Sequence, residues 1–358
     1  MKLVMTVVVR DEEDVIDAQI AYHLHAGVDF VIATDNRSQD RTTEILERYE
    51  RAGCLRLIRE RSDDMRQDVW VTSMARLAAT EYGADWVLNA DADEFWWPRG
   101  GSLKEVLATI PRRYGVVRGF WRHFVPRPDD GSSFHERMTA RLVVPAHPGD
   151  KTTIFHAHQK VAHRATPEVV IEFGNHNADG PGLVPLRTWH PIEVLHFSLR
   201  SVSQLERKAS GGWVRNTDYE PALHQVLLDK AFREGRLEAY FESLVTDDEA
   251  LEQGLANGTL AVDTRLREAL RTLSDGDGSF ALPGDERRLE FSRLDVSDDP
   301  HYASEVSVLA GIDAIVKSET RVDRIEERLS ALERGPLAGV LNSRRRRVRG
   351  STWTDSLR

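Results

Sequence analysis

The N-terminal part of the chain alternates between two hydrophobic patterns. Short apolar runs, rich in β-branched residues, predict strands at 3–9, 30–34, 55–58 and 86–90. Between these runs apolar residues recur every three or four positions, which predicts helices at 14–25, 40–53 and 67–82. Strands that alternate with helices of this length are typical of a parallel sheet with right-handed crossovers. The expected fold class is therefore α/β.

Beyond residue 97 the pattern becomes strand-rich and less regular. Ser102 and Glu105 have the spacing of a capping box and predict that a helix begins there. Ser201 with Gln204 repeats that spacing and predicts a second helix. Apolar stretches predict further strands at 115–125, 137–144, 152–158, 169–173 and 194–197.

The fourth predicted strand ends in three acids, Asp91, Asp93 and Glu94. Carboxylates this close repel one another and need a cation, a helix N-terminus or water. At the carboxyl end of a parallel strand they lie where open α/β sheets bind ligands. We interpret Asp91 and Asp93 as ligands of one Mg²⁺ or Mn²⁺ that holds a diphosphate and neutralises it as it leaves. An acidic surface loop is the plainer interpretation, but the position after a buried strand favours the metal.

Three other polar loops should meet at the same sheet edge, at 10–14, 35–40 and 59–67. A nucleotide-sugar needs hydrogen-bond acceptors for its base and ribose and cations for its diphosphate. Asp35 suits the base or ribose, and Arg10 and Arg66 suit the phosphates. The predicted ligand is therefore a nucleotide-diphosphate sugar.

Four motifs occur in combination along this part of the chain: VVRDEE at 8–13, DNRSQDRT at 35–42, DADEF at 91–95, and LHFSLRS with a later Gln204 and Lys208 at 195–208. Together they resemble the GT-A glycosyltransferases of family 2, and in particular a compact bacterial branch with a D-x-D-E-F motif. The resemblance covers about residues 1–210. It implies a nucleotide-sugar donor, Mn²⁺ or Mg²⁺, and sugar transfer usually with inversion.

The resemblance also implies roles for single residues. Asp35 would meet the donor base, and Asp91 and Asp93 the ribose, metal and diphosphate. His196 resembles a histidine that completes the metal site, although a buried structural histidine is an equal alternative. Asp11 stands where the family often has Asn. The expected donor-binding residues are Arg10, Glu12, Asp35, Asn36, Asp40, Arg66 and Asp91.

An inverting transferase needs a base that takes the proton of the acceptor hydroxyl. Glu136, which follows a Gly-Ser loop, is the first choice, with Glu172 and Asp179 as rivals. Each is also explained as a surface acid or an arginine partner. Asp93, through the metal, is the other expected catalytic residue. The expected acceptor contacts are Glu94, Trp96, Trp97 and His176.

Composition and charge narrow the class of protein. The chain has 358 residues, 41% of them hydrophobic, as expected for a globular protein with a real core. A net charge of −10 argues against a general nucleic-acid binder. The single cysteine, Cys54, allows no intrachain disulfide and fits a reducing compartment. Since neither a secretory signal nor a membrane-spanning run is evident, we expect a cytoplasmic protein.

Two C-terminal features bear on partners. At 302–334 the pattern predicts one long helix with a short heptad seam. A coiled coil that supports a homodimer and a helix packed on its own domain explain it equally, and we predict the dimer. Five arginines at 344–349 are typical of a disordered end. Near an anionic bilayer they would each contribute about 1 kcal/mol, which would place the protein at the inner face of the membrane.

The expected GT-A domain consists of a donor half at 1–97 and an acceptor half at 98–210. We expect a helical extension to follow at 211–300, with a flexible acidic loop at 274–285. A long helix at 301–335 and a basic disordered tail at 336–358 should end the chain. The expected function is metal-dependent, inverting transfer of a sugar to a hydroxyl of a glycan, a lipid-linked glycan or a small molecule. A metal-dependent nucleotidyl- or phosphoryl-transferase is disfavoured, because it would usually carry a Gly-rich loop at 10–13. A non-catalytic nucleotide-sugar-binding scaffold is disfavoured by the intact acidic motif.

Overall fold

The computed structural model describes residues 1–62, 66–148, 150, 152–187, 189–210, 223–276, 278–284, 287–291, 325 and 328. The chain divides into two compact units, Met1–Val306 and Ser307–Arg358. Of the second unit only Ile325 and Arg328 are described, and both are helical and exposed. The predicted long helix at 302–334 with its homodimer, and the basic tail with its arginines at 344–349, therefore lie outside the described residues.

The N-terminal half of the sheet forms as predicted. Its elements are β1 (Leu3–Val9), α1 (Ile16–His25), β2 (Phe30–Asn36), α2 (Thr42–Arg51), β3 (Leu55–Glu60), α3 (Gln67–Thr80) and β4 (Trp86–Asp91). Alternate residues of β1 pack on opposite faces of the sheet: Met5 and Val7 belong to the cluster that includes α1, and Val4 and Val8 to the cluster that includes α3. A strand that is buried on both faces has apolar residues at nearly every position, and this made these strands predictable from the sequence.

The later elements are shorter. They are β5 (Glu94–Pro98), α4 (Leu103–Ala108), β6 (Val116–His123), α5 (Phe134–Arg137), β7 (Ala140–Leu142), β8 (Gln159–Arg164), β9 (Val170–Ile171), a 3-10 helix (Phe173–Asn175), β10 (Ala178–Asp179), β11 (Ile192–His196), α6 (Val202–Ser210), α7 (Leu223–Arg233), α8 (Leu237–Glu242), α9 (Asp248–Ala256), β12 (Leu260–Val262) and α10 (Arg265–Leu273).

The main sheet has eight strands in the order β3-β2-β1-β4-β8-β6-β11-β5. β3, β2, β1 and β4 are parallel neighbours, and so are β6 and β11. β8 runs antiparallel to β4 and β6, and β5 runs antiparallel to β11. Six of the eight strands therefore run in one direction. This mostly parallel sheet, with helices packed on it, confirms the predicted α/β class.

Several local predictions are confirmed. Ser102 and Glu105 form the capping box of α4. The Ser201 hydroxyl accepts the N–H of Gln204 at 3.1 Å and caps α6. The Gln204 amide, however, accepts the N–H of Arg200 at 3.2 Å, so the second box is only half formed.

One strand prediction between 137 and 173 is wrong, and two are confirmed over only part of their range. The strand expected at 152–158 begins only at Gln159, because Asp150 and Thr153 accept backbone N–H groups two residues ahead and hold turns there. The strand expected at 137–144 is confined to Ala140–Leu142, and that at 169–173 to Val170–Ile171. The described parts of the predicted loop at 274–285 contain neither helix nor strand, apart from isolated bridges. β5, β12 and α10 were not predicted.

Candidate functional site

A cavity of about 650 Å³ opens at the carboxyl end of β1 and β4. Asp91 and Asp93 are among its polar lining residues. Its apolar lining includes Ile154, Leu199, Leu205, Leu228 and Tyr240, which belong to one hydrophobic cluster and so form an apolar side. This is the edge of the sheet where the sequence placed a ligand.

The loops after β1 and β2 hold each other in place. Asp35 Oδ1 accepts the N–H of Ser38 at 3.0 Å, and the Ser38 hydroxyl accepts the N–H of Asp11 at 3.1 Å. Asp40 Oδ2 accepts the N–H of Glu13 at 3.1 Å. Asp35 and Asp40 are not among the cavity-lining residues. Asp35 and Asp40 therefore hold these two loops together, and their contact with a donor stays a prediction.

Three other predicted donor-binding residues do line the cavity. They are Arg10, Glu12 and Asn36, which follow or end β1 and β2. Arg10 Nη1 lies 3.5 Å from Asn36 Oδ1. Arg66, by contrast, is exposed at the start of α3 and is not among the lining residues. It does not take part in the cavity described here.

Asp91 is held by three side chains from outside its own strand. Its Oδ1 accepts from Gln67 Nε2 at 2.8 Å and from Asn175 Nδ2 at 3.0 Å, and its Oδ2 accepts from Lys160 Nζ. Lys160 reaches Asp91 because β8 is antiparallel to β4, so the first residues of β8 lie beside the carboxyl end of β4. Its side chain is 1% exposed. Burial alone would lower the pKa of Lys160, but Asp91 and Glu94 outweigh it and raise that pKa to about 12.

Asp93 is surrounded by cations and a histidine. Its Oδ2 lies 3.1 Å from Lys208 Nζ and 3.7 Å from Arg200 Nη1, and its Oδ1 lies 3.8 Å from His196 Nε2. Burial alone would raise the pKa of Asp93, but Lys208, His196 and Arg200 outweigh it and hold that pKa well below its usual range. Asp93 is therefore a carboxylate at neutral pH.

Arg200 is the buried cation that joins this region. Its Nε lies 2.6 Å from Asp14 Oδ2, and its Nη2 contacts Glu12 Oε2. The side chain is 1% exposed. Burial raises the pKa of Glu12, and Arg200 and Lys208 oppose that rise. Arg200 thus fixes the loop after β1 against the segment before α6.

Glu94 is fully buried beneath the cavity. Its Oε1 accepts from Trp121 Nε1 at 2.7 Å and lies 3.1 Å from Lys160 Nζ, and its Oε2 accepts the N–H of Asp91 at 3.0 Å. Burial, reinforced by Asp91 and Asp93, raises the pKa of Glu94 to about 8, although Lys160 opposes the rise. Glu94 is not among the cavity-lining residues, so the expected acceptor contact is corrected to a structural role.

Histidine and tryptophan rings form one wall of the cavity. Trp121 stacks on His196 with 4.4 Å between ring centroids, and His158 stacks on His176 at 3.5 Å. His176 Nδ1 lies 2.8 Å from the Gln159 carbonyl oxygen. Burial lowers the pKa of His176 and of His196 well below the usual value, so both rings are neutral. His176 lines the cavity, and its contact with an acceptor stays a prediction.

Three other predicted site residues lie elsewhere. Trp96 is fully buried and Trp97 is 8% exposed, because alternate residues of β5 pack into the core on either face. Glu136 lies outside the cavity lining and accepts from Arg271 Nε at 2.9 Å, a contact that lowers the pKa of Glu136. Glu136, the first choice for the base, therefore pairs with an arginine and does not line the cavity. Its rival Glu172 does line the cavity.

The carboxylates do not fit a divalent metal in this arrangement. Within the described part of the chain, no group of three or more His, Cys, Asp or Glu side chains is placed to hold a metal ion. Mg²⁺ and Mn²⁺ need carboxylate oxygens free of other cations. The Asp91 carboxylate already accepts hydrogen bonds from Lys160 and from the amides of Gln67 and Asn175. The Asp93 carboxylate accepts one from Lys208. The metal role predicted for Asp91, Asp93 and His196 is therefore not supported by these contacts.

Backbone strain concentrates around the cavity. Among the described residues, three non-glycine residues have positive φ: Asp11 at 55°, Arg37 at 62° and Asn175 at 62°. Each lies next to a cavity-lining residue or holds one, since Asn175 binds Asp91. Conformations of this kind persist where the surrounding structure fixes them, and they cluster at functional sites.

Sequence reasoning missed the cations. Arg200 and Lys208 lie inside the 195–208 motif, but no role was assigned to them. The residues around Lys160 do not indicate its role, because its partner Asp91 is 69 residues away and the two meet only through strand pairing.

The comparisons with known proteins define a class. Residues 5–123 match the model of glycosyltransferase family 92, about a third of the chain. The matched segment contains β1 to β6, with Asp91 and Asp93, and ends before Lys160 and α6. The class indicated is a glycosyltransferase. The matched model is not that of family 2, so the family 2 resemblance is not confirmed.

Two solved structures are similar to parts of this chain. S. aureus TarS 1-349 in complex with UDP-GlcNAc is 16% identical, with 68% of this chain and 73% of that chain covered and a TM-score of 0.32. Glucosyl-3-phosphoglycerate synthase from Mycobacterium tuberculosis, in complex with Mn²⁺, UDP and glucosyl-3-phosphoglycerate, is 20% identical over 34% of this chain and 44% of that chain, with a TM-score of 0.26. These values carry no argument about the site. No curated protein matches the chain.

No helix among the described residues combines the length and apolarity that crossing a membrane requires.

Proposed function

We propose that the protein transfers a sugar from a nucleotide-diphosphate sugar to a hydroxyl acceptor, on a GT-A type of sheet. One observation carries the proposal: the D-x-D carboxylates lie at the carboxyl end of β4, in a cavity of about 650 Å³, inside the segment that matches a glycosyltransferase family. A cavity of this size suits a small-molecule ligand. Arg10 and Lys208 in its lining offer positive charge for phosphates.

We further propose inversion, with Glu172 as the base. A base must reach the acceptor hydroxyl, and Glu172 is the residue among the predicted candidates that lines the same cavity as Asp91 and Asp93. The apolar side of the cavity would then receive the acceptor. A metal is left out of this proposal, because lysines occupy both aspartates.

A thermal-shift panel of UDP-, GDP-, dTDP- and ADP-sugars, each with and without Mn²⁺, tests the proposal. We expect at least one donor to raise the melting temperature, since a ligand that binds only the folded state stabilises it. Arg10→Ala, which removes a positive charge from the cavity lining, should reduce that rise, and the matched control Arg56→Ala, at an exposed position of β3 outside that lining, should not. A panel with no shift in any condition would contradict the proposed function.

The released product separates the remaining classes. A glycosyltransferase releases a nucleoside diphosphate, whereas a nucleotidyltransferase releases pyrophosphate. Donor binding without any product, across a broad acceptor panel, would instead favour a binding scaffold.

A further inference from the structure

Each aspartate of the D-x-D motif already has its own ammonium partner. Lys160 Nζ contacts Asp91 Oδ2, and Lys208 Nζ lies 3.1 Å from Asp93 Oδ2. The two lysines come from β8 and α6, far apart in the chain, yet both line the same cavity. A divalent ion placed at these carboxylates would have to displace both ammonium groups or lie against them. Lys160 and Lys208 therefore supply positive charge beside both aspartates.

The two lysines differ in what they can reach. Lys160 is 1% exposed and also donates to the Gly174 carbonyl oxygen at 2.7 Å, so its ammonium group is fixed in the cavity wall with almost no exposed surface. Lys208 is 21% exposed and lies 3.8 Å from Glu12 Oε1 as well as beside Asp93. Lys160 therefore positions Asp91, whereas Lys208 lies at the cavity surface, where a ligand can touch it.

We propose that Lys208, held by Asp93 and Glu12, binds the donor diphosphate in place of a divalent metal ion, with Lys160 as the residue that positions Asp91. This inference rests on the proposed glycosyl transfer. Arg200 supports it, because its Nη1 lies 3.7 Å from Asp93 Oδ2 and adds a further fixed positive charge beside the motif.

The chemistry requires a cation at the leaving group. In the transfer step the acceptor oxygen forms a bond to the anomeric carbon as the bond from that carbon to the diphosphate oxygen breaks. The electron pair of the broken bond leaves with the diphosphate, and the acceptor proton goes to the base. A fixed ammonium group stabilises the negative charge that develops on the diphosphate. A lysine ammonium group is an established binder of phosphate oxygens and supplies stabilisation of this kind.

The decisive experiment measures binding of UDP, GDP, dTDP and ADP to the full chain by isothermal titration calorimetry, in excess EDTA and in excess MnCl₂. For the nucleotide that binds, we expect dissociation constants that agree within about twofold in the two conditions. Lys208→Ala should weaken binding about 10- to 100-fold in both, as expected for loss of a charge-assisted contact. Lys208→Arg should recover most of that loss.

The matched control is Lys104→Ala, because Lys104 also pairs with an aspartate, Asp29, but lies outside the cavity. It should bind the nucleotide as the unaltered protein does. Binding that occurs only with MnCl₂ would overturn the lysine proposal and leave the glycosyltransferase proposal intact. If no nucleotide binds in either condition, both fail. The EDTA and MnCl₂ titrations of the unaltered protein distinguish these outcomes even if a Lys208 variant does not fold.

Discussion

The guanidinium of Arg200 bonds to the carboxylate of Asp14, with Nε 2.6 Å from Oδ2, across 186 residues of sequence. Asp14 lies in the loop after β1, and Arg200 precedes the helix α6 that carries Lys208. The contact therefore fixes the distance between the donor-side loop and the lysine beside Asp93. Arg200 therefore holds the Asp93 side of the cavity, whereas Asp91 is held separately by Gln67, Lys160 and Asn175.

Replacing Arg200 should be strongly destabilising. Arg200→Met leaves Glu12 and part of Asp14 without their buried cation, and removing one partner of a buried ion pair costs about 3–5 kcal/mol. Urea denaturation should show that loss in the free energy of unfolding. The control Arg233→Met breaks an exposed pair with Asp229 and should cost less than about 1 kcal/mol. If both variants lowered the free energy of unfolding equally, the buried contacts of Arg200 would contribute no more to stability than the pair of Arg233 with Asp229.

Substitution of Glu172 and of Glu136 tests which of the two glutamates is the catalytic base. Glu172→Gln should lower kcat by about 10²- to 10⁴-fold, because the neutral amide cannot take the acceptor proton. Nucleotide binding should be retained. Glu136→Gln, which breaks only the surface pair with Arg271, should change kcat little. Steady-state kinetics on both variants checks this. A large loss in Glu136→Gln alone would favour Glu136, the first choice from the sequence, as the base.

The buried Glu94 depends on Trp121. Trp121→Phe keeps an aromatic ring on His196 but removes the Nε1 donor that lies 2.7 Å from Glu94 Oε1. Glu94 Oε1 keeps Lys160 Nζ at 3.1 Å but loses one of its two donors, which costs about 1 kcal/mol, and the smaller ring adds to that cost. Chemical denaturation should show the loss, whereas Trp189→Phe, at a ring 46% exposed, should be nearly neutral. Similar values for both tryptophans would contradict the role given to this hydrogen bond.

Local signals explain what the sequence could predict. The four parallel strands are evident as apolar runs, and the caps at Ser102 and Ser201 are short-range patterns. The position of Asp91 at the end of β4 follows from the same local pattern. These features need no knowledge of distant residues.

Long-range pairings explain what it could not predict. Which cation meets which carboxylate depends on the antiparallel placement of β8, and Glu136 meets an arginine 135 residues away. Trp96 and Trp97 looked like acceptor contacts because the strand β5, which packs them into the core, has no clear alternating pattern. The sequence therefore placed Asp91 and Asp93 at the carboxyl edge of the sheet but did not predict the side chains that pair with them.

Buried histidines should make the protein sensitive to mild acid. His23 is fully buried, and its Nε2 accepts the N–H of Trp96 at 3.1 Å. Burial lowers the pKa of His23 from 6.5 to about 4, although the Gln19 carbonyl opposes the shift. The unfolded chain therefore takes up a proton near pH 6.5 and the folded chain only near pH 4. The stability due to neutral His23 is present above pH 6.5 and is lost as the pH falls from 6.5 towards 4.

The measurable quantity is the slope of the unfolding free energy with pH, about 1.4 kcal/mol per pH unit for each such histidine. His123, His135 and His163, with pKa values lowered to about 4, add to the slope in the same direction. Urea denaturation between pH 4.5 and 6.5 should show a slope smaller by about one proton in His23→Gln. The control His147→Gln, at an exposed position, should keep the full slope. An unchanged slope in His23→Gln would mean that His23 is already protonated in the folded protein.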